Sequence, residues 1–201
     1  MNPLITKFLA KGDYAKLAGN AQLQKLVCDA SQIPWGEGRT IEEVLDTKHV
    51  GTCTGKHLVL QACLDALKIP YRVVVCTFRW SEQNIQLPTE LEEILKEGEW
   101  DHGHNFLQVL NDDKQWIDVD VTWDPQLKAY GFLTFPEDWD GNTSFIGLHS
   151  MIQRWDDADA EVKKQWINAL TPEMKERREK FLHAFFTWIA SLRSPAAPAH
   201  A

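Results

Sequence analysis

Two stretches of alternating apolar and polar residues, 104–110 and 116–122, constrain the fold of this 201-residue chain more than any other feature. Their intervening residues, 111–113, have the sequence Asn-Asp-Asp, which is typical of a turn, so the two stretches predict an antiparallel β-hairpin. The aliphatic residues at its odd positions must share the core face, which requires odd positions to pair with odd. A three-residue loop at 111–113 gives that pairing.

This register places His104 directly opposite Asp120, on the face away from the aliphatic residues. The Cβ atoms of directly opposed residues lie about 4.5–5.5 Å apart, close enough for a histidine and an aspartate to interact. Asp118 shares the same face but is placed opposite Phe106, and Asp124 falls in the turn that follows. We therefore predict Asp120 as the partner of His104.

Cys53 precedes a long apolar segment whose spacing is typical of a buried helix, ending before Pro70. The cysteine is therefore predicted at a helix N-terminus. Unpaired backbone N–H groups and the positive end of the helix dipole favour the thiolate there and stabilise a developing oxyanion. Cys53 is thus a candidate nucleophile, although a buried structural cysteine is the common alternative.

Other segments predict further elements around this centre. The first 30 residues indicate two short helices, 40–43 has the capping-box pattern that begins a helix, and 71–78 predicts a buried strand. The insertion 79–103, with a helix at 89–96, is interpreted either as a wall of the site or as solvated surface. One or two strands are expected after Pro125, and helices from Ala158 onward, the last of which packs on the core.

Composition and charge exclude several functional classes. A net charge of −8 without a basic run disfavours nucleic-acid binding. The sequence shows no apolar run of membrane-spanning length and no signal peptide, so we expect no membrane association and a cytoplasmic location. Its four cysteines are scattered without a CxxC motif, which favours reduced thiols. Nine tryptophans indicate an aromatic-lined core or cleft.

Cys53, His104 and Asp120 supply, in chain order, the nucleophile, base and orienting acid that thiol acyl transfer needs. We predict these three as a catalytic triad. The Cys53 amide offers one oxyanion donor. Trp35 and Trp123 are predicted oxyanion or substrate-binding residues, because an indole N–H is a donor, although Trp35 is alternatively a core anchor.

His102 competes with His104, because residues two apart lie on the same face of a strand. Together with Asp120 these imidazoles form an alternative metal site, which we rank low because it leaves Cys53 unused. His49 and His57 are interpreted as surface or structural residues. We predict no metal and no cofactor.

Three segments in order resemble the transglutaminase-like superfamily: Gly51-x-Cys53 with the helix exit Leu67-Lys68-Ile69-Pro70, the strand Gly103–Val109, and Trp116–Thr122. The resemblance covers about residues 33–125. It implies an α+β papain-like fold, with the nucleophile helix packed on an antiparallel sheet, and the triad already chosen. Lys68, Gln108 and Val121 depart from the family pattern, but none of these changes removes a catalytic group.

The resemblance implies a cysteine-dependent hydrolase or amine acyltransferase that acts on peptide or amide substrates through a thioester. The alternative is a non-catalytic binding or scaffold module that retains the fold. Length favours a single domain over 1–194, with 195–201 as a flexible tail. The sequence does not indicate the substrate, the acyl acceptor or the oligomeric state.

Overall fold

The computed structural model describes residues 1–158 and 160–193, so the predicted tail at 195–201 lies outside the described residues. Its centre is a four-stranded antiparallel sheet with the strand order β3-β2-β1-β4. The strands are β1 (Tyr71–Phe78), β2 (His102–Leu110), β3 (Trp116–Val119) and β4 (Gln153–Trp155). The predicted strand at 71–78 is confirmed, and one of the strands expected after Pro125 is β4.

Six α-helices surround this sheet in the described part of the chain. They are α1 (Pro3–Lys11), α2 (Gly19–Ser31), α3 (Cys53–Leu67), α4 (Thr89–Lys96), α5 (Ala160–Asn168) and α6 (Pro172–Ser191). The capping box at 40–43 is present, with the Thr40 hydroxyl accepting from the Glu43 amide at 3.1 Å, but the turn that follows is a π-helix over Glu43–Thr47. The fold is α+β, as predicted. None of the described helices has the length and apolarity needed to cross a bilayer.

One face of the sheet packs against α1, α2 and α3 through aliphatic side chains, and we call this packing the aliphatic layer. Its sheet and helix members include Leu107, Val109, Ile117, Val119, Val121, Val59, Leu60 and Leu64. The five aliphatic residues at odd positions of the predicted hairpin are therefore all in this layer, which confirms the predicted parity. This layer fixes α3, and with it Cys53, against the sheet.

The opposite face is covered mainly by α4 and α6, and we call this packing the aromatic layer. Its members include Trp35, Phe78, Trp80, Trp100, Phe106, Trp123, Phe132, Phe181 and Phe185. These residues come from seven separate stretches of the chain, so no local sequence periodicity predicts that they pack together. The last helix packs here through Phe181, Phe185 and Ile189, as expected for a core-packing helix.

The predicted hairpin register is wrong by two residues. Leu110 pairs with Trp116 and Gln108 with Asp118, so five residues rather than three connect the strands. The longer connection is closed by the Asn111 side chain, whose carbonyl accepts from the Gln115 amide at 2.9 Å. A shift of two residues keeps every side chain on its face. Asp120 consequently follows the end of β3 and approaches His104 diagonally.

The insertion at 79–103 is not merely solvated surface. Leu91, Ile94 and Trp100 are buried in the aromatic layer, and α4 packs against α6. His102, which lies within the predicted insertion 79–103, is the first residue of β2 and pairs with Phe78. The extra strand length places His102 in the same layer.

Candidate active site

Cys53 is the first residue of α3, as its position before the apolar segment predicts. The side chain of Thr52 caps this helix by accepting from the Gly55 amide at 3.2 Å. A Cβ atom on Gly55 would lie 2.3 Å from the carbonyl oxygen of Gly38, so a glycine is required where the preceding loop crosses the helix. The Cys53 amide belongs to the first turn, where backbone N–H groups have no partner within the helix. The thiol is thus held beside free donors.

His104 and Asp120 meet in the interior. The Nε2 atom of His104 lies 2.7 Å from Oδ2 of Asp120, and both side chains are almost fully buried. Asp120 also accepts from the backbone amides of Thr122 at 3.0 Å and Gly147 at 2.9 Å. Burial alone raises the pKa of this carboxyl group, but His104 and these donors hold it well below its usual range. Asp120 is therefore a fixed anion that orients the imidazole.

His104 and Cys53 line the same cavity, and each shifts the pKa of the other. Nε2 is occupied by Asp120, so Nδ1 is the nitrogen left for the sulfur. Burial alone lowers the pKa of His104, but Asp120 and Cys53 raise it to about 9. The structure thus brings the three predicted residues together, with His104 bonded to Asp120 and lining the same cavity as Cys53.

Lys163 in α5 is a site residue that the sequence interpretation missed. Its Nζ atom lies 3.6 Å from Sγ of Cys53, 2.9 Å from Oδ1 of Asn105 and 3.2 Å from Oγ1 of Thr54. Burial alone raises the pKa of the Cys53 thiol, but Lys163, His104 and the Asn105 backbone amide lower it to about 6. A lone lysine on a polar helix 110 residues beyond the cysteine gives no sequence signal.

These pKa values define a protonation window. The pKa of the thiol is lowered to about 6 and that of the imidazole raised to about 9, in part because each group stabilises the charged form of the other. Between these limits the pair is a thiolate and an imidazolium, which is the reactive form of a cysteine–histidine pair. The remaining cysteines do not share this property, because burial raises the pKa of Cys28, Cys63 and Cys76.

His57 is structural rather than a surface residue. It is fully buried, its Nδ1 lies 2.7 Å from the Cys53 carbonyl, and its Nε2 accepts from the Val121 amide at 3.3 Å. Burial lowers the pKa of this imidazole to about 4. Neutral His57 therefore ties the start of α3 to the chain that carries Asp120.

The competing acids have other partners. Asp118 makes a two-pronged ion pair with Arg154, at 2.7 and 2.8 Å. Asp124 accepts from the Trp35 backbone amide at 2.7 Å and pairs with Arg193. Neither carboxylate contacts His104, so Asp120 alone orients it among these three.

A cavity of about 340 Å³ opens onto the Cys53 sulfur and His104. Trp35 and Trp123 both line it and contact each other with ring centroids 5.3 Å apart. The indole N–H of Trp123 already donates to the Gly147 carbonyl at 2.8 Å, so this group is not free to act as the predicted oxyanion donor. Trp35 also stacks on Phe186, which makes it both a packing residue and a cavity wall.

His102 lines the same cavity but does not join the triad. Its Nδ1 accepts from the Trp80 indole at 3.2 Å, whereas Nε2 of His104 is bound to Asp120. Among the described residues, no three His, Cys, Asp or Glu side chains are grouped as a metal site requires. The two histidines thus have separate surroundings despite their spacing.

Comparison with known proteins identifies the family of this chain. The family model of the transglutaminase-like superfamily matches residues 10–121, more than half of the chain. Among solved structures, a crystal structure of a TGase aligns at 16% identity with a TM-score of 0.44, covering 67% of this chain and 33% of that chain. This chain thus spans about one third of that protein's length. A search of the curated proteins found no match. The chain belongs to the transglutaminase-like superfamily.

Proposed function

We propose that the protein is a cysteine-dependent enzyme that transfers the acyl group of an amide or peptide substrate, with Cys53, His104 and Asp120 as its catalytic triad. The observation that carries this proposal is the buried hydrogen bond between His104 and Asp120, at a cavity that His104 and Cys53 both line. Family membership alone leaves the reaction open, because a fold hosts many functions.

In the first half-reaction the Cys53 thiolate attacks the substrate carbonyl carbon and a C–S bond forms. The negative charge that develops on the carbonyl oxygen is stabilised by the Cys53 backbone N–H, with the Trp35 indole as the second proposed donor. His104 then gives its proton to the departing amine as the C–N bond breaks. Asp120 stabilises the imidazolium until that transfer.

In the second half-reaction neutral His104 takes a proton from water or from an acceptor amine. The oxygen or nitrogen attacks the thioester carbon, and the C–S bond breaks. Cys53 leaves as a thiolate, so the starting charge state is restored. Water gives hydrolysis and an amine gives transamidation.

Free thiols are essential to this chemistry, and all four cysteines are unpaired, which supports a reducing compartment such as the cytoplasm as the proposed location.

The proposal is tested by screening peptide amides for turnover, with and without an added primary amine. We expect turnover in the wild type, a trapped acyl group on Cys53 by mass spectrometry, and loss of both in Cys53→Ala. Cys28→Ala is the matched control, because Cys28 lies in α2 outside the cavity. Turnover that persists in a folded Cys53→Ala protein, or no turnover of any amide by the wild type, contradicts the proposal.

A further inference from the structure

The cavity beside Cys53 carries a charge opposite to that of the whole protein. The chain has 29 acidic and 21 basic residues, yet the described residues that line the cavity include no Asp or Glu. They include four cations: Arg39, Lys163, Lys164 and Arg178. Lys163 faces the sulfur and Lys164 is ion-paired with Glu161 at 3.4 Å, which leaves the two arginines to be explained.

Arg178 and Arg39 differ from the arginines that form ion pairs. Those with carboxylate partners are Arg79, Arg154, Arg177 and Arg193. In the part of the chain that the structure describes, no carboxylate lies within salt-bridge distance of Arg178 or Arg39, whose charges also repel each other. Arg178 is partly buried, and burying a charge without a partner is costly. Arg39 is exposed and carries no such cost, so the charge to be explained is that of Arg178, and an anion beside it would remove the cost.

His102 provides an independent indication of a ligand. Only 5% of its surface is exposed, and its buried Nε2 atom has no hydrogen-bond partner among the described residues. Since Nδ1 accepts the Trp80 indole N–H, the neutral ring carries its proton on Nε2, which is therefore a donor without an acceptor. Burial, and to a smaller extent the charge of Arg178, lowers the pKa of His102, so the ring is neutral. His102 and Arg178 both line the cavity.

We propose that Arg178, Arg39 and the Nε2–H group of His102 form a subsite for a carboxylate of the acyl donor, so that the enzyme selects acidic amide or peptide substrates. Only one part of this inference rests on the proposed function, namely that the bound carboxylate belongs to the acyl donor. The surrounding walls are the rings of Trp35, Trp80 and other aromatic residues, which suit an apolar group attached to that carboxylate. Guanidinium groups bind carboxylates through paired N–H donors, which gives the subsite its selectivity.

Iodoacetate and iodoacetamide test the subsite without requiring turnover, because they differ mainly in a carboxylate and an amide. We expect the ratio of their alkylation rates at Cys53 to exceed the ratio at free cysteine by about tenfold, the value of one well-formed charged contact. Arg178→Gln should lower the ratio at Cys53 severalfold, and the use of a ratio cancels any change in the reactivity of the thiol itself. Arg177→Gln is the matched control, because Arg177 binds the Gly98 carbonyl outside the cavity. A ratio that Arg178→Gln leaves unchanged overturns the subsite.

Equilibrium binding to the Cys53→Ala protein separates this proposal from the proposed function. Calorimetry with N-acetyl-phenylalanine and its amide tests a chain-terminal carboxylate, and N-acetyl-glutamic acid α-amide with its glutamine analogue tests an acidic side chain. We expect one acid to bind at least about fivefold more tightly than its amide partner, and Arg178→Gln to abolish the difference. Equal binding within both pairs overturns the subsite even if amides are turned over. An acid preference in a protein without turnover supports it while the proposed function fails.

Discussion

The aliphatic layer and the aromatic layer lie on opposite faces of one sheet and make different contributions to the site. The aliphatic layer fixes α3 and therefore the nucleophile Cys53. The aromatic layer contacts the ring of His104 through Phe78 and Phe106, and several of its residues line the cavity. One face thus supports the helix that carries Cys53 and the other contributes walls of the cavity, and we propose that the two faces meet at the catalytic groups.

This division predicts which substitutions affect stability alone and which affect catalysis as well. Residues at the junction of the layers should affect turnover most. Truncating a core residue should lower the stability of the protein by a similar amount in either layer. Only a truncation in the aromatic layer should also weaken substrate binding. Residues at the far end of α3 should affect stability without changing chemistry.

Among substitutions that leave Cys53 and His104 unchanged, Asp120→Asn should reduce turnover most. An amide does not hold His104 in the tautomer that accepts the thiol proton, so kcat/KM should fall by about 10³–10⁴-fold. Steady-state kinetics on the best amide substrate gives the measurement. Asp118→Asn is the control, because Asp118 pairs with Arg154 and not with His104. A similar fall in both variants would show that charge on β3, rather than the histidine contact, matters.

Leu60→Ala and Phe185→Ala compare the layers directly. Both side chains are fully buried, and each truncation should lower the free energy of unfolding by about 3–5 kcal/mol, measured by urea denaturation. Phe185 contacts Trp35 and Trp80, with ring centroids at 5.1 and 4.7 Å, so its truncation should also raise KM. Leu60→Ala should leave KM unchanged in the folded protein. Equal KM effects would contradict the division between layers.

Lys163→Met should raise the pKa of Cys53, because the cation nearest the sulfur is removed. At a pH below the thiol pKa, the rate of iodoacetamide alkylation should fall by about tenfold, which corresponds to about one pKa unit. At high pH the rates of the two proteins should converge, since both thiols are then ionised. Lys175→Met, outside the cavity, provides the control. Equal rates at every pH would exclude an electrostatic role for Lys163.

The smallest effect is expected at the end of α3, where Lys68 replaces the glycine of the family pattern. Lys68 has a left-handed backbone with φ of 58°, a conformation that costs a residue with a Cβ atom about 1 kcal/mol. Lys68→Gly should therefore stabilise the protein by up to about 1 kcal/mol in urea denaturation, with unchanged kcat/KM. Lys68→Ala retains the Cβ atom and should give no such gain.

The same two layers explain how much could be predicted from the sequence. The aliphatic layer follows local rules: alternation along β2 and β3 fixed its face, and helical spacing located α3. Those patterns also brought His104 and Asp120 to one side. The two-residue error in register arose because the Asn111 side chain closes a longer loop than the turn residues alone indicate. The error did not change which face of the sheet each side chain occupies, because the register moved by an even number of residues.

The aromatic layer was not predictable in the same way. Trp35, Trp80, Trp123 and Phe185 lie far apart in sequence and meet only in the folded chain. Lys163 reaches the thiol from a helix whose sequence is mostly polar. Single-domain organisation over 1–194 stays a prediction. Tertiary assembly could not be predicted from the sequence, and it forms the cavity that we propose binds the substrate.

The pH dependence of Cys53 alkylation tests most directly whether the two faces together create a reactive thiol. Iodoacetamide rates are measured between pH 4 and 10, with Cys28 of the same protein as the internal reference. We expect the Cys53 rate to rise through an apparent pKa of about 6, while Cys28 becomes reactive only above the ordinary thiol value of 9.0. A Cys53 rate that rises only near pH 9, together with that of Cys28, would contradict the thiolate–imidazolium pair.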